Sequence, residues 1–71
     1  MARAFFGSVE YRVTVDRDLG DTWAVTVQPP SVKGVPSAPY IVKLQGNDRE
    51  SATRGALEIL QKAGRIDRFE L

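Results

Sequence analysis

The 71-residue sequence predicts a small α+β domain, a three-stranded antiparallel β-meander followed by one helix packed on one face, and three observations agree on it. Three segments alternate apolar and polar residues at period two, as half-buried strands do. One later segment carries apolar residues at helical spacing, between a start at Asn47-Asp48 and a stop at Gly64. Polar turns or proline separate these segments, and residues 1–71 form one domain.

The first strand carries Phe5, Gly7, Val9, Tyr11, Val13 and Val15 on one face and Ser8, Glu10, Arg12, Thr14 and Asp16 on the other. Its N-terminal limit is not fixed by the pattern. The polar break Asp16–Asp21 contains Gly20 and suits a hairpin. The second strand, Thr22–Gln28, sends Trp23, Val25 and Val27 to the core and Thr22, Ala24, Thr26 and Gln28 outward. Pro29-Pro30 ends it, because proline has no ladder donor. Residues 29–39 hold all four prolines and read as a loop, which Val32 and Val35 pin to the core. The third strand, Tyr40–Gln45, turns Tyr40, Val42 and Leu44 toward the helix and Lys43 and Gln45 outward. Ile41 breaks that alternation and marks an edge, an exposed apolar position or an interface.

Asn47 or Asp48 caps the helix, and Glu50 stands three residues after Asn47, as in a capping box. Ala52, Ala56, Ile59, Leu60 and Ala63 form the apolar stripe, with Arg49, Thr53, Arg54, Glu58, Gln61 and Lys62 on the wet side. Glu58 and Lys62 have the spacing of a favourable i,i+4 pair. Gly64 is the left-handed C-cap, with Ile66 placed for the hydrophobic contact that accompanies it. The remaining tail, Arg65–Leu71, alternates weakly and fits a short fourth strand, a further turn or a docking segment. The expected core is Val9, Tyr11, Val13, Val15, Trp23, Val25, Val27, Val42, Leu44, Ala52, Ala56, Ile59, Leu60 and Ala63.

Composition narrows the function classes. The chain has neither cysteine nor histidine, so disulfides and Cys/His zinc sites are excluded, and the usual general base and thiol nucleophile are missing. A small core without a staple makes a partner subunit attractive. Ten basic and nine acidic residues leave a net charge of +1. Residues 1–48 carry five of each sign and residues 49–71 five basic and four acidic, so no segment is a polybasic tail. No apolar run approaches the roughly 20 residues of a membrane span. The N-terminus lacks an apolar signal-peptide core, and a cytoplasmic protein is expected.

Local clusters have plain explanations. Asp16, Asp18 and Asp21 suit a turn and lack the length and terminal glutamate of a calcium loop. Pro36-Ser37-Ala38-Pro39 matches P-x-x-P spacing without a flanking cation. No serine has a histidine partner, and no glycine cluster forms a phosphate cradle. The outward sheet face brings Arg12, Thr14, Thr26, Gln28, Lys43 and Gln45 together. Sheet-face RNA readers stack bases on aromatics, whereas Tyr11, Trp23 and Tyr40 fall in phase with the core valines.

Several of these segments resemble a known family. Tyr11–Asp16, the acidic glycine-containing hairpin, Trp23–Val27, Pro30 with Gly34, and the junction Gln45–Ala52 are similar to the N-terminal domain of HicB-type antitoxins. The resemblance covers about residues 9–63. It implies a β-β-β-α, partial RNase H-like unit that binds a small toxin and self-associates, with no catalytic residue. Relative to that pattern the 29–39 loop is long, and residues 1–71 hold no counterpart of the family's C-terminal DNA-binding segment.

The resulting expectation is a non-enzymatic protein-interaction module without cofactor or metal, whose partner is an unknown protein or a second copy. The candidate interaction surface is Arg12, Thr14, Gln28, Ile41, Lys43 and Gln45, and pairing is expected at the edge of the first or third strand, adding area from Phe6 or Ile41. Nucleic-acid binding through the polar sheet face or the basic last third is the alternative. A carboxylate hydrolase ranks last.

Overall fold

The computed structural model describes residues 2–31, 34 and 37–71. Five strands and one helix follow in the order β1 Arg3–Phe6, β2 Val9–Arg17, β3 Thr22–Gln28, β4 Tyr40–Gln45, α1 Arg49–Lys62 and β5 Arg68–Glu70. They form one antiparallel sheet in the order β4-β3-β2-β1-β5. The expected meander is present as β2-β3-β4, and β1 and β5 extend it to five strands instead of three. Val32 and Val35, expected to pin the loop to the core, and Pro36 of the P-x-x-P spacing lie outside the described residues.

The extra N-terminal strand comes from a turn inside what reads as one continuous strand. Phe6 pairs with Val9 across Gly7-Ser8, and Gly7 takes a φ of 63°, which two-residue hairpins demand at that place. The reversal changes the phase. Ala4 opposes Tyr11 and Phe5 opposes Glu10, so Ala4 and Phe6 join the helix side while Phe5 moves to the open face. It also puts β2 inside the sheet, so the first strand of the meander is not an edge. Val9, expected in the core, is 41% exposed beside the turn.

The tail resolves as a docked strand. Phe69 pairs with Ala4, and Arg68 with Phe5. Asp67 fastens the junction: its N–H donates to the Phe5 carbonyl at 2.7 Å, and its carboxylate accepts from the Gly7 amide. Gln61 Nε2 donates to the Asp67 carbonyl at 2.9 Å, tying this corner to the helix. Ile66, just before it, is buried.

Asp48 is the N-cap, its carboxylate accepting from the Ser51 N–H at 2.7 Å. The Ser51 hydroxyl also donates to Asp48 at 3.3 Å, so both bonds run from Ser51 to the cap carboxylate, in place of a capping box with Glu50. These bonds favour the ionised carboxylate, and the Asp48 pKa is lowered, chiefly by the Ser51 backbone N–H. At the other end Arg65 N–H donates to the Leu60 carbonyl and Gly64 N–H to that of Gln61, a Schellman closure around Gly64 at φ 76°. The surface ion pair of the helix joins Glu50 and Arg54 at 3.9 Å, in place of the expected Glu58 and Lys62.

The helix buries Ala52, Thr53, Ala56, Leu57 and Leu60. Its apolar arc is therefore rotated from the expected stripe: Leu57 is fully buried, whereas Ile59 is 51% exposed and Ala63 is exposed. Thr53 tolerates burial because its hydroxyl donates to the Arg49 carbonyl at 2.7 Å. Alanines at 52 and 56 let the helix lie close to the sheet. Gly55 serves the same approach, since a Cβ there would stand 3.0 Å from Leu44 Cδ1. The central cluster joins Ala4, Val27, Leu57, Leu60 and Ile66, with Tyr11, Val13, Tyr40, Val42 and Phe69 packed around it. Trp23 is half-buried, its Nε1 donating to the Gly46 carbonyl at 3.1 Å and its ring carrying the Arg17 guanidinium at 5.7 Å.

Candidate interaction surface

The sheet has two unlike faces. The helix packs mainly over β3 and β4 on one of them. The other is uncovered by any described element, and all six residues of the expected surface reside there. Arg12 opposes Gln28, Ile41 opposes Thr26, and Lys43 opposes Ala24, while Thr14 and Gln45 continue the same face along β2 and β4. Their roles differ. Gln28 is committed to structure, donating through Nε2 to the carbonyls of Pro29 at 3.1 Å and Ser37 at 2.7 Å, which closes the loop back on β3. Lys43 reaches Asp18 at 3.5 Å. Arg12 has no carboxylate within ion-pair distance among the described residues.

The register of β1 and β5 adds residues that the sequence pattern misplaces or leaves unassigned. Arg3 and Phe5 stand on the open face, as do Arg68 and Glu70. The Arg68 guanidinium lies over the Phe5 ring at 4.1 Å, a cation–π geometry. Arg3 lies 4.0 Å from Glu10, and Arg68 lies 3.5 Å from Glu70. These are exposed pairs, of the kind worth about 0–1 kcal/mol. The face is thus a mixed-charge plane with one aromatic at its β1 end.

The β4 edge offers a different chemistry. Gly46 N–H donates to the Asp21 carbonyl at 3.0 Å, in line with the β3–β4 register. Hydrogen bonding alternates along an antiparallel strand. Tyr40, Val42 and Leu44 therefore bond toward β3, and the N–H and C=O groups of Ile41, Lys43 and Gln45 point away from the sheet. β4 lies at the end of the strand order, and no described strand pairs with those groups. Apolar side chains flank the row on both sides. Ile41, 57% exposed, is on the open face, and Ile59 is on the helix above. The opposite edge, β5, is only three residues long and offers far less.

On the other flank of the helix a shallow cavity of about 600 Å³ is lined by Ala2, Val13, Val15, Arg49, Thr53 and Leu71. It has an apolar floor, and Arg49 and Glu50 at its mouth offset each other in charge. Among the described residues no three acidic side chains converge as a metal site would require, and no helix is long and apolar enough to cross a membrane. The fold and its surfaces define a small α+β domain with one long open strand edge. No family model, curated protein or solved structure matches the chain.

Proposed function

We propose that this domain is a non-enzymatic, cytoplasmic protein-interaction module that engages its partner by strand addition at β4. The observation that carries this reading is the outward row of backbone groups at Ile41, Lys43 and Gln45. An incoming strand satisfies these groups while its side chains meet Ile41 below and Ile59 above. The edge is bounded chemically: Pro39 offers a carbonyl but no donor, and Lys43 discourages indiscriminate pairing. The resemblance to the HicB-type antitoxin domain, a unit that binds protein and has no catalytic residue, agrees with it.

Nucleic-acid binding through the open face is the second reading, favoured by one observation: Phe5 stands there beside Arg68, on the same face as Arg12. An aromatic among cations suits base stacking. Glu10 and Glu70 on that face oppose a phosphate backbone, so strand addition ranks first.

Two variants separate the readings. Lys43→Pro removes the central outward donor and spares the bonds to β3; Phe5→Ala with Arg12→Ala strips the open face. Capture from the native host should lose its specific proteins with Lys43→Pro and keep them with the double variant. Retention by folded Lys43→Pro, together with loss of bound nucleic acid in the double variant, contradicts strand addition and supports the alternative.

A further inference from the structure

Resting on the strand-addition reading, we infer that the occupant of the β4 edge is a second copy of this chain, paired antiparallel about a two-fold axis at Val42. Two features set this register, and a third shows that the helices can pack across the joined edge.

The first is the strand itself. Only the odd-numbered residues of β4 turn their backbone groups away from β3, where no described strand pairs with them, so self-pairing must join odd residues to odd residues. With the axis at Val42, Ile41 of one copy exchanges bonds with Lys43 of the other, and Gln45 N–H donates to the Pro39 carbonyl. Proline at 39 supplies the acceptor this arrangement needs and wastes no donor. Shifting the axis to Lys43 would set two ammonium groups directly opposite each other, which is unfavourable. At Val42 the two lysines are diagonal, and each aliphatic stem covers the exposed Ile41 across from it.

The second is the height of the helix residues above β4. Gly55 sits over Leu44, and Arg65 lies over the Tyr40 ring at 5.8 Å, so α1 runs antiparallel to β4. One helical turn beyond Gly55 is about 6 Å, or roughly two strand residues. That brings Ile59 level with Val42. Ile59 is on the flank of Gly55, facing the edge, while Arg49 and Thr53 line the cavity on the β2 flank. The exposed isoleucine and the self-pairing axis therefore coincide.

The third is the spacing between copies. Strands in a sheet are about 4.8 Å apart. With α1 over the β3–β4 seam, two such helices across a joined β4–β4 edge stand about 10 Å apart, at the upper end of the packed-helix range. Two steps of strand twist cross them at roughly 45°, close to the commonest packing class. Glycine at 55 keeps the neighbouring turn slim, so Ile59 of each copy meets its counterpart. One continuous ten-stranded sheet results, with both helices on the same side.

Sedimentation velocity across a concentration series, with the whole chain, should show a monomer–dimer equilibrium. Ile59→Asp changes an exposed residue and should raise the dimer dissociation constant about tenfold or more. The chain has no cysteine, so Ile59→Cys introduces a single thiol that should form a covalent dimer on mild oxidation, whereas Arg54→Cys, facing away, should not. A monomer up to about 1 mM, or a dimer indifferent to Ile59→Asp, overturns the second copy as occupant. Strand addition itself then stands or falls separately on the Lys43→Pro capture.

Discussion

Replacing Leu57 with alanine is expected to cost about 3 kcal/mol, within the range for a buried leucine. Leu57 is fully buried and stands in the cluster that joins the helix to Ala4, Val27 and Ile66. Its removal leaves a void between layers that are already thin. A domain of 71 residues has roughly 4–10 kcal/mol of total stability, so a third or more would be lost. The melting temperature should fall by roughly 12–24 °C. Ile59→Ala, two residues along the same helix, should change monomer stability by less than about 0.5 kcal/mol, because Ile59 faces water. Urea unfolding of both variants at low protein concentration decides the matter. An exchange of the two effects would mean that the helix is rotated to the stripe Ala52, Ala56, Ile59 and Ala63.

Ile66→Ala should be the second large loss, about 2–4 kcal/mol. Ile66 is buried in the same cluster, and the two residues after it begin the attachment of β5. Asp67 there receives the Gln61 side chain and bonds to Phe5 and Gly7. Loosening Ile66 should fray β5 from β1 in the native state. The urea m-value should then fall with the midpoint, since less surface remains to be exposed on unfolding. A loss below about 1 kcal/mol with an unchanged m-value would contradict the view that the tail completes the core.

The meander and the helix are legible in the residues because their signals are local. Trp23, Val25 and Val27 alternate cleanly, Pro29-Pro30 stops β3, and Asp48 and Gly64 bound the helix by cap chemistry. The missed parts are non-local or degenerate. Phe5 through Val15 keep period two across Gly7-Ser8, and the pattern cannot distinguish a long strand from a hairpin whose turn happens to preserve it. β5 is three residues long, and its pairing depends on β1, more than sixty residues away in sequence. On the helix, Leu57 and Ile59 both border Ala56, and tertiary packing alone chooses between them. Of the candidate surface, the open-face placement of Arg12, Thr14, Lys43 and Gln45 follows from alternation, whereas Ile41 breaks the apolar-polar pattern and is placed by its pairing with Thr26. The structural duty of Gln28 does not, because it depends on where the proline loop folds back.

Residue-resolved amide exchange along β4, followed from dilute to concentrated protein, tests the edge most directly. Dilute protein should protect Tyr40, Val42 and Leu44 and leave Ile41, Lys43 and Gln45 exchanging quickly. Concentration should slow those three and leave the first set unchanged. Protection of all six in the dilute monomer, or rapid exchange at 41, 43 and 45 in a protein already dimeric, would contradict an open β4 that pairs with its own kind.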